Sequence, residues 1–369
     1  DLEDHRDNRG LEHHLGFVLT GVLIAILHGR KKVSSIHRFI KHRLDYLVEL
    51  TGHDAQRAIS DSQLRRVVRG VDWLKYNAIN EQFFGVVIEQ LCDDEWIAID
   101  GKELRGSIDG KACGAKRGEV VINAVVHGSK EVVSQTFYRG DKESEKIHVR
   151  RLLQEGNLTI RSVSLDALHC DPQTTALIEQ AGGRYLIPVK ANQKKLIEEL
   201  RLSTKFLPCW FVHQHLDKAH GRLELRKSRI FYVQGGDFDE RWQRSGIRTL
   251  VVTERNFTEL KTGKESQQTA YHISNQSLRS NDTRLMKALV KAVREHWSVE
   301  ADNFVRDVTF EEDNIKTQKG NATRIWAAIR TTATLMMRLI APPNIQAKME
   351  LWTDCPTKFY EDLKNIGFF

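Results

Sequence analysis

A chain of 369 residues with 40% hydrophobic and 28% charged side chains has room for two or three domains and a sizeable core, which excludes a disordered or fibrous protein. Its 56 Lys and Arg against 49 Asp and Glu leave a formal charge of +7, a moderate basic bias that suits a polyanion partner such as nucleic acid. The five cysteines are scattered and form no CxxC pair, which excludes a disulfide framework and a zinc knuckle and fits a reducing compartment.

Residues 1–92 read as an all-helical domain. The longest apolar run, residues 17–27, is too short to span a bilayer and has no signal-peptide cleavage site behind it, so it reads as the core of a helix over 11–28. The chain begins at Asp1 rather than Met, and residues before it are expected. A second helix starts at Val33 after the basic turn Gly29-Arg30-Lys31-Lys32. Ser60-Asp61-Ser62 is an N-cap cluster for a helix over 63–71. Arg65, Arg66 and Arg69 on its outer side suit either DNA contact or a solvated face, the latter being more common. A further amphipathic helix is expected over 77–91.

At residue 96 the period changes. Residues 96–99 (WIAI) form a short apolar strand that ends in Asp100. Strands follow over 120–126 and 132–138, joined by a hairpin containing Gly128. Then come a helix over 147–154, a strand over 161–165 ending in Asp166, a helix over 174–181 and a strand over 184–189. This succession predicts an α/β architecture with a mixed sheet, its first part spanning 93–202. Residues 203–280 read as a β-rich, irregular insertion. The core resumes over 281–345, beginning with a helix on which Leu285, Leu289, Val293 and Trp297 recur at a spacing of four. Glu300 falls on that stripe. A last helix over 323–339 is stopped by Pro342-Pro343, and residues 346–369 form a tail with Trp352, Phe359 and Tyr360.

A carboxylate on a buried apolar stripe needs a compensating cation. Asp100 and Asp166 each end a hydrophobic strand, and the carboxyl ends of strands are where sites gather in open α/β sheets. If the two strands are neighbours, both aspartates meet at one sheet edge, with Glu300 swung in from its helix. Three anions at one point raise each other's pKa. Two divalent cations remove that penalty, and hard oxygen ligands favour Mg²⁺ or Mn²⁺ over zinc. Two such ions about 4 Å apart clamp the attacking and leaving oxygens of a phosphodiester displacement. Placement alone is unspecific, because most strand-end aspartates merely cap a turn.

The local words are more specific. Ile97-Ala98-Ile99-Asp100-Gly101-Lys102-Glu103-Leu104-Arg105-Gly106-Ser107 resembles the first catalytic block of the H-repeat-associated proteins, of the ISAs group of bacterial insertion-sequence transposases. Ser164-Leu165-Asp166-Ala167-Leu168-His169 resembles their second block. His296-Trp297-Ser298-Val299-Glu300, with Arg306-Asp307-Val308-Thr309-Phe310 and Glu312-Asp313, resembles their third. Residues 142–145, 190–193 and 220–224 sit where that family has similar words. The resemblance covers nearly the whole chain, and the ordered set of blocks is its specific part.

The resemblance implies a DDE transposase with a ribonuclease-H-like catalytic core, an N-terminal helical domain and a β-rich insertion. Asp100, Asp166 and Glu300 are then the catalytic, metal-binding triad, served by two Mg²⁺ ions with Mn²⁺ as substitute. The reaction is metal-assisted cleavage at the ends of an insertion sequence, then attack of the freed 3′-OH on target DNA. The implied partners are double-stranded terminal-repeat and target DNA and a second copy of the chain. The implied place is the bacterial cytoplasm. The sequence departs from the family where the stretch after Glu300 is one residue short, and at Ala301 and Ala191.

Lys102, Arg105, Lys111, Lys116 and Arg117 lie in a glycine-rich loop beginning beside Asp100, where they are expected to touch a DNA backbone. Lys190, Arg294 and His296 are expected at the scissile phosphate. Trp297 reads as core rather than as a base-stacking wedge, and His169 as a helix-start residue. Glu224 is a weaker contender for the third carboxylate, because Arg222 and Arg226 share its face and pair with it. Two rival functions are a DNA-binding protein derived from such an element, favoured by the altered 301–306 segment, and a stand-alone Mg²⁺-dependent nuclease. A zinc-site structural protein is disfavoured by the unpaired cysteines.

Overall fold

In the N-terminal region, α1 (Leu15–Leu27) is apolar on every side, so it must be buried on every side. Around it run α2 (Val33–His42), α3 (Leu44–Thr51), α4 (Asp61–Gly70) and α5 (Trp73–Phe84). The computed structural model describes residues 2–6, 12–85, 91–92, 94–108, 117–140, 144–219, 221–234, 236, 238–317 and 321–368. Ser60 caps α4, its Oγ accepting from the Gln63 N–H at 3.2 Å. The helix expected from residue 77 starts at Trp73, because Asp72 accepts from the Leu74 and Lys75 N–H groups.

The sheet begins with β1 (Trp96–Glu103), β2 (Glu119–Val126) and β3 (Val132–Arg139). It continues through α6 (Glu145–Glu155), β4 (Ser162–Leu165), α7 (Pro172–Ala181), β5 (Arg184–Val189) and α8 (Lys194–Phe206). Next come β6 (Cys209–Ala219), β7 (Arg222–Tyr232), β8 (Thr249–Glu259) and β9 (Glu265–Ser274). Among the described residues the nine strands form one sheet in the order β3-β2-β1-β4-β5-β9-β8-β7-β6. β1 is antiparallel to β2 and parallel to β4, β4 is parallel to β5, and β5 is antiparallel to β9. The predicted mixed sheet is present, and the β-rich segment is continuous with it. That segment holds strands of 10 or 11 residues rather than short irregular runs. Their outer ends project past the helices, so both faces are wet and the apolar alternation fades.

The C-terminal part contains α9 (Thr283–Glu295), α10 (Trp297–Phe304), α11 (Ala322–Ile340), α12 (Ile345–Asp354) and α13 (Pro356–Asn365). α10 runs into a π-helical turn over Val305–Thr309. The expected tail is two helices, with Trp352 and Phe359 wholly buried. These helices share one core with α1, α2 and α4: Val22, Ile36 and Val67 belong to the same cluster as Ile329, Trp352 and Phe359. Over the sheet, α6, α7 and α8 pack on the face that carries Ile97 and Ile99. α9 and α10 pack on the opposite face, against Trp96 and Ala98. Among the described residues no helix is long and apolar enough to cross a membrane.

The stripe expected to bury Glu300 is corrected. The inward residues are Met286, Leu289, Val290 and Ala292 on α9, then Ser298, Val299 and Asp302 on α10. Trp297 is 63% exposed, not core, and Glu300 is exposed beside it. A spacing of four advances about 400° around a helix, so three such steps carry Trp297 roughly 120° away from Leu285.

Candidate functional site

Ile99 of β1 is paired with Leu165 of β4, so the next residues, Asp100 and Asp166, lie side by side. Here β4 ends while β1 runs on to Glu103 against β2 alone. A crevice opens at the strand where the connectivity reverses, the usual place for a site in an open sheet. Asp166 turns the chain there, its carboxylate accepting from the Leu168 N–H at 2.9 Å. Glu300 approaches from α10. Burial, then repulsion by Asp166, Glu145 and Glu300, pushes the Asp100 carboxyl up to about 7, against a hydrogen bond from the Gly101 N–H. The surrounding wall also raises Glu300, while Lys190 pulls it down.

α10 is laid along β1 in register. Val299 clusters with Ala98, Asn303 Nδ2 lies 3.4 Å from Asp100 Oδ2, and Asp307 Oδ1 lies 2.5 Å from Lys102 Nζ. Two residues of strand advance about 6.6 Å and four of helix about 6.0 Å, so alternate strand positions meet successive helical turns. This corrects the expectation for Lys102. It is 8% exposed and also pairs with Glu312, at 2.5 Å, so its charge is spent inside the protein and not on DNA. Asp302 is the buried carboxylate of this helix, held by Arg306 Nη2 at 2.6 Å and by Arg338.

Glu145, the first residue of α6, accepts hydrogen bonds from Tyr138 Oη at 3.2 Å and His169 Nε2 at 3.3 Å. His169 Nε2 is also 3.7 Å from Asp166 Oδ1, so this fully buried ring bridges the two carboxylates, which is more than a helix-start role. On the other side, Ser164 Oγ lies 2.8 Å from His127 Nε2 and 2.9 Å from His296 Nδ1. Burial lowers His296 to about 4, only partly offset by Asp166, so it brings no positive charge to the site at neutral pH.

A groove of about 550 Å³ runs from Asp166 and Glu300 past Lys190, His296 and Trp297 to Arg226 and Arg255 on the outer strands. Lys190 is exposed at its side. Arg294 is paired with Asp217 at 3.1 Å. Glu224 is held by Arg226 at 2.7 Å and Arg255 at 2.8 Å, not by Arg222, and lies apart from the aspartates. Arg105 has a 79% exposed side chain, and Arg117 is exposed. Lys111 and Lys116 lie outside the described residues.

The structure thus brings Asp100, Asp166 and Glu300 within electrostatic reach, with Lys190 and His296 nearby, and draws Lys102 away. Among the described residues no group of three or more His, Cys, Asp or Glu side chains is gathered closely enough to hold a metal ion. The donors are nonetheless all carboxylate oxygens that repel one another, which is the chemistry a hard divalent cation satisfies. Sequence reasoning gave no role to Glu145, Ser164, His127 or Asn303. Glu145 does lie in the word at 142–145, the one signal that pointed to it.

The first 84 residues match the family model DDE_Tnp_1-associated. "Putative transposase YncI" of Escherichia coli O157:H7 is 27% identical over 348 residues, covering 91% of this chain and 85% of the relative. "H repeat-associated putative transposase YhhI" of Escherichia coli K12 is 26% identical over 342 residues, covering 90% and 87%. The chain is thus similar, along nine-tenths of its length, to relatives named as transposases, one of them H repeat-associated. A third relative, "Putative protein YbfL" of Escherichia coli K12, is 28% identical over 344 residues, covering 90% and 87%. Among solved structures, a piggyBac transposase synaptic complex with hairpin DNA aligns with a TM-score of 0.46 and 10% identity, covering 98% of this chain and 73% of that one.

Proposed function

We propose that this chain is a member of the H-repeat-associated family and a DNA transposase of the DDE type, acting as a dimer on insertion-sequence ends in the bacterial cytoplasm. The observation that carries the reading is the placement of Asp100, in β1 where its pairing with β4 stops, beside Asp166, the first residue past β4, with Glu300 on the helix that lies along β1. The strand order β3-β2-β1-β4-β5 supports a ribonuclease-H-like core. Asp100, Asp166 and Glu300 would hold Mg²⁺, or Mn²⁺ in its place, as two ions. Bound there, these supply charge neutralisation at the attacking and leaving oxygens of a phosphodiester.

The protein's own part is position. The edge where β4 stops beside β1 carries two carboxylates, and the helix laid along β1 carries the third. Lys190 and Arg117 draw the phosphate backbone towards them, while the neutral His296 ring borders the groove without competing for anions. Hydrolysis frees a 3′-OH, and the same in-line geometry serves its attack on target DNA.

The test is incubation with the element's terminal-repeat DNA and Mg²⁺ or Mn²⁺. Cleavage at the ends and joining to target DNA are expected, both lost in Asp100→Ala, Asp166→Ala and Glu300→Ala. Tight binding without cleavage would replace this reading with that of a DNA-binding derivative. Cleavage without joining would replace it with that of a nuclease.

A further inference from the structure

Gly101, the residue after Asp100, faces α6. A Cβ built on it would stand 2.8 Å from Glu145 Cδ and 3.0 Å from both carboxylate oxygens. That is closer than a real Cβ tolerates, so the missing side chain is what lets the carboxylate reach the backbone of β1 beside Asp100. Two side chains fix it there: Tyr138 Oη at 3.2 Å and the buried His169 Nε2 at 3.3 Å. His169 ties it in turn to Asp166, at 3.7 Å. Among the described residues neither Lys nor Arg lies within ion-pair distance of Glu145. The neighbouring Lys146 and Arg150 are instead spent on Asp171. A half-buried carboxylate, with Arg117 acting on it only from beyond ion-pair distance among the described residues, is thus held against the strand that carries Asp100.

We infer that Glu145 is a fourth carboxylate of the candidate site, a ligand for the divalent cation shared with Asp100 and Asp166. It enters from the α6 face, through the space Gly101 leaves, whereas Glu300 enters from the α10 face. The two acidic residues therefore close the strand ends from opposite sides. The sheet edge becomes an all-oxygen donor set suited to Mg²⁺ or Mn²⁺. This inference rests on the metal reading proposed above.

The test is Mn²⁺ binding by calorimetry, without DNA or turnover, on the parent chain and on Glu145→Gln, Glu145→Asp, Asp100→Asn and Asp166→Asn. Glu145→Gln is expected to weaken Mn²⁺ binding by at least about tenfold, comparable with loss of a tuned metal-site partner. Glu145→Asp should recover part of it. Parent-like binding by Glu145→Gln, with loss in the aspartate variants, would overturn the inference and leave the site reading standing. Parent-like binding by every variant would overturn both. Backbone cleavage of the unaltered protein by bound Fe²⁺ and peroxide gives a readout free of any folding defect. Cuts are expected near Gly101, Asp166 and Glu145, and their absence at Glu145 would also overturn the inference.

Discussion

Lys102 Nζ and Asp307 Oδ1 lie 2.5 Å apart, joining the strand that carries Asp100 to the helical segment that follows Glu300. Glu312 closes on the same ammonium. The pairing locks a helix to a strand at the level where two candidate ligands face one another. Replacing Lys102 by Met leaves Glu312, 4% exposed, without its cation. The expected cost is about 3–5 kcal/mol, read as a lower urea midpoint, with Lys102→Arg milder. The salt dependence of DNA binding should not change, because this lysine is turned inward.

Exposed cations behave differently. Arg117→Ala and Lys190→Ala should each reduce the slope of log Kd against log salt by about one, with little effect on stability. His296→Ala should leave that slope unchanged at pH 7, because its ring is already neutral. Filter binding across a salt series measures both.

Asp100 makes the metal-free protein pH-sensitive. Between its ordinary value of 3.8 and about 7, the folded chain keeps a proton that the unfolded chain has lost. Its contribution to stability therefore falls as pH rises through that window. Asp100→Asn and its parent should melt alike near the bottom of the window. By pH 8, with a chelator present, the variant should melt higher by a few degrees. Calorimetric scans at the two pH values measure the difference. Metal binding should release a proton from Asp100, so the parent's affinity should weaken below pH 7 by up to about tenfold per unit.

The altered segment after Glu300 is itself well knit. Asp302 and Arg306 have wholly buried side chains, and Arg338 reaches the same carboxylate. Asp302→Ala strands two guanidinium groups and should cost about 3–5 kcal/mol by urea unfolding. Asp302→Asn, which keeps an acceptor, should cost less.

The end of β4 at Asp166 was legible because it closes an apolar run, whereas β1 runs on past Asp100 to Glu103, and the adjacency of the two strands, only a condition in the sequence, comes from the pairing of Ile99 with Leu165. Exposure of Trp297 was not, because a four-residue spacing mimics a stripe while drifting around the helix. The inward turn of Lys102 was within reach: two positions from Asp100, it shares that residue's face of β1. The outer strands blurred because solvent on both faces removes the alternation that marks a strand. Glu145 was hidden for another reason. Its place depends on Gly101, forty-odd positions away, and no local period records that contact.

The core that buries α1 is closed by α11, α12 and α13, which are made after the sheet. At about 5–20 residues per second, tens of seconds separate synthesis of α1 from that of its cover. The nascent chain therefore carries its longest apolar run uncovered while the whole sheet is translated. The N-terminal helices pack on one another but leave the side of α1 that meets α11 to α13 unfilled until then. The order of manufacture, set by one shared core, makes aggregation on the ribosome the hazard this architecture has to manage.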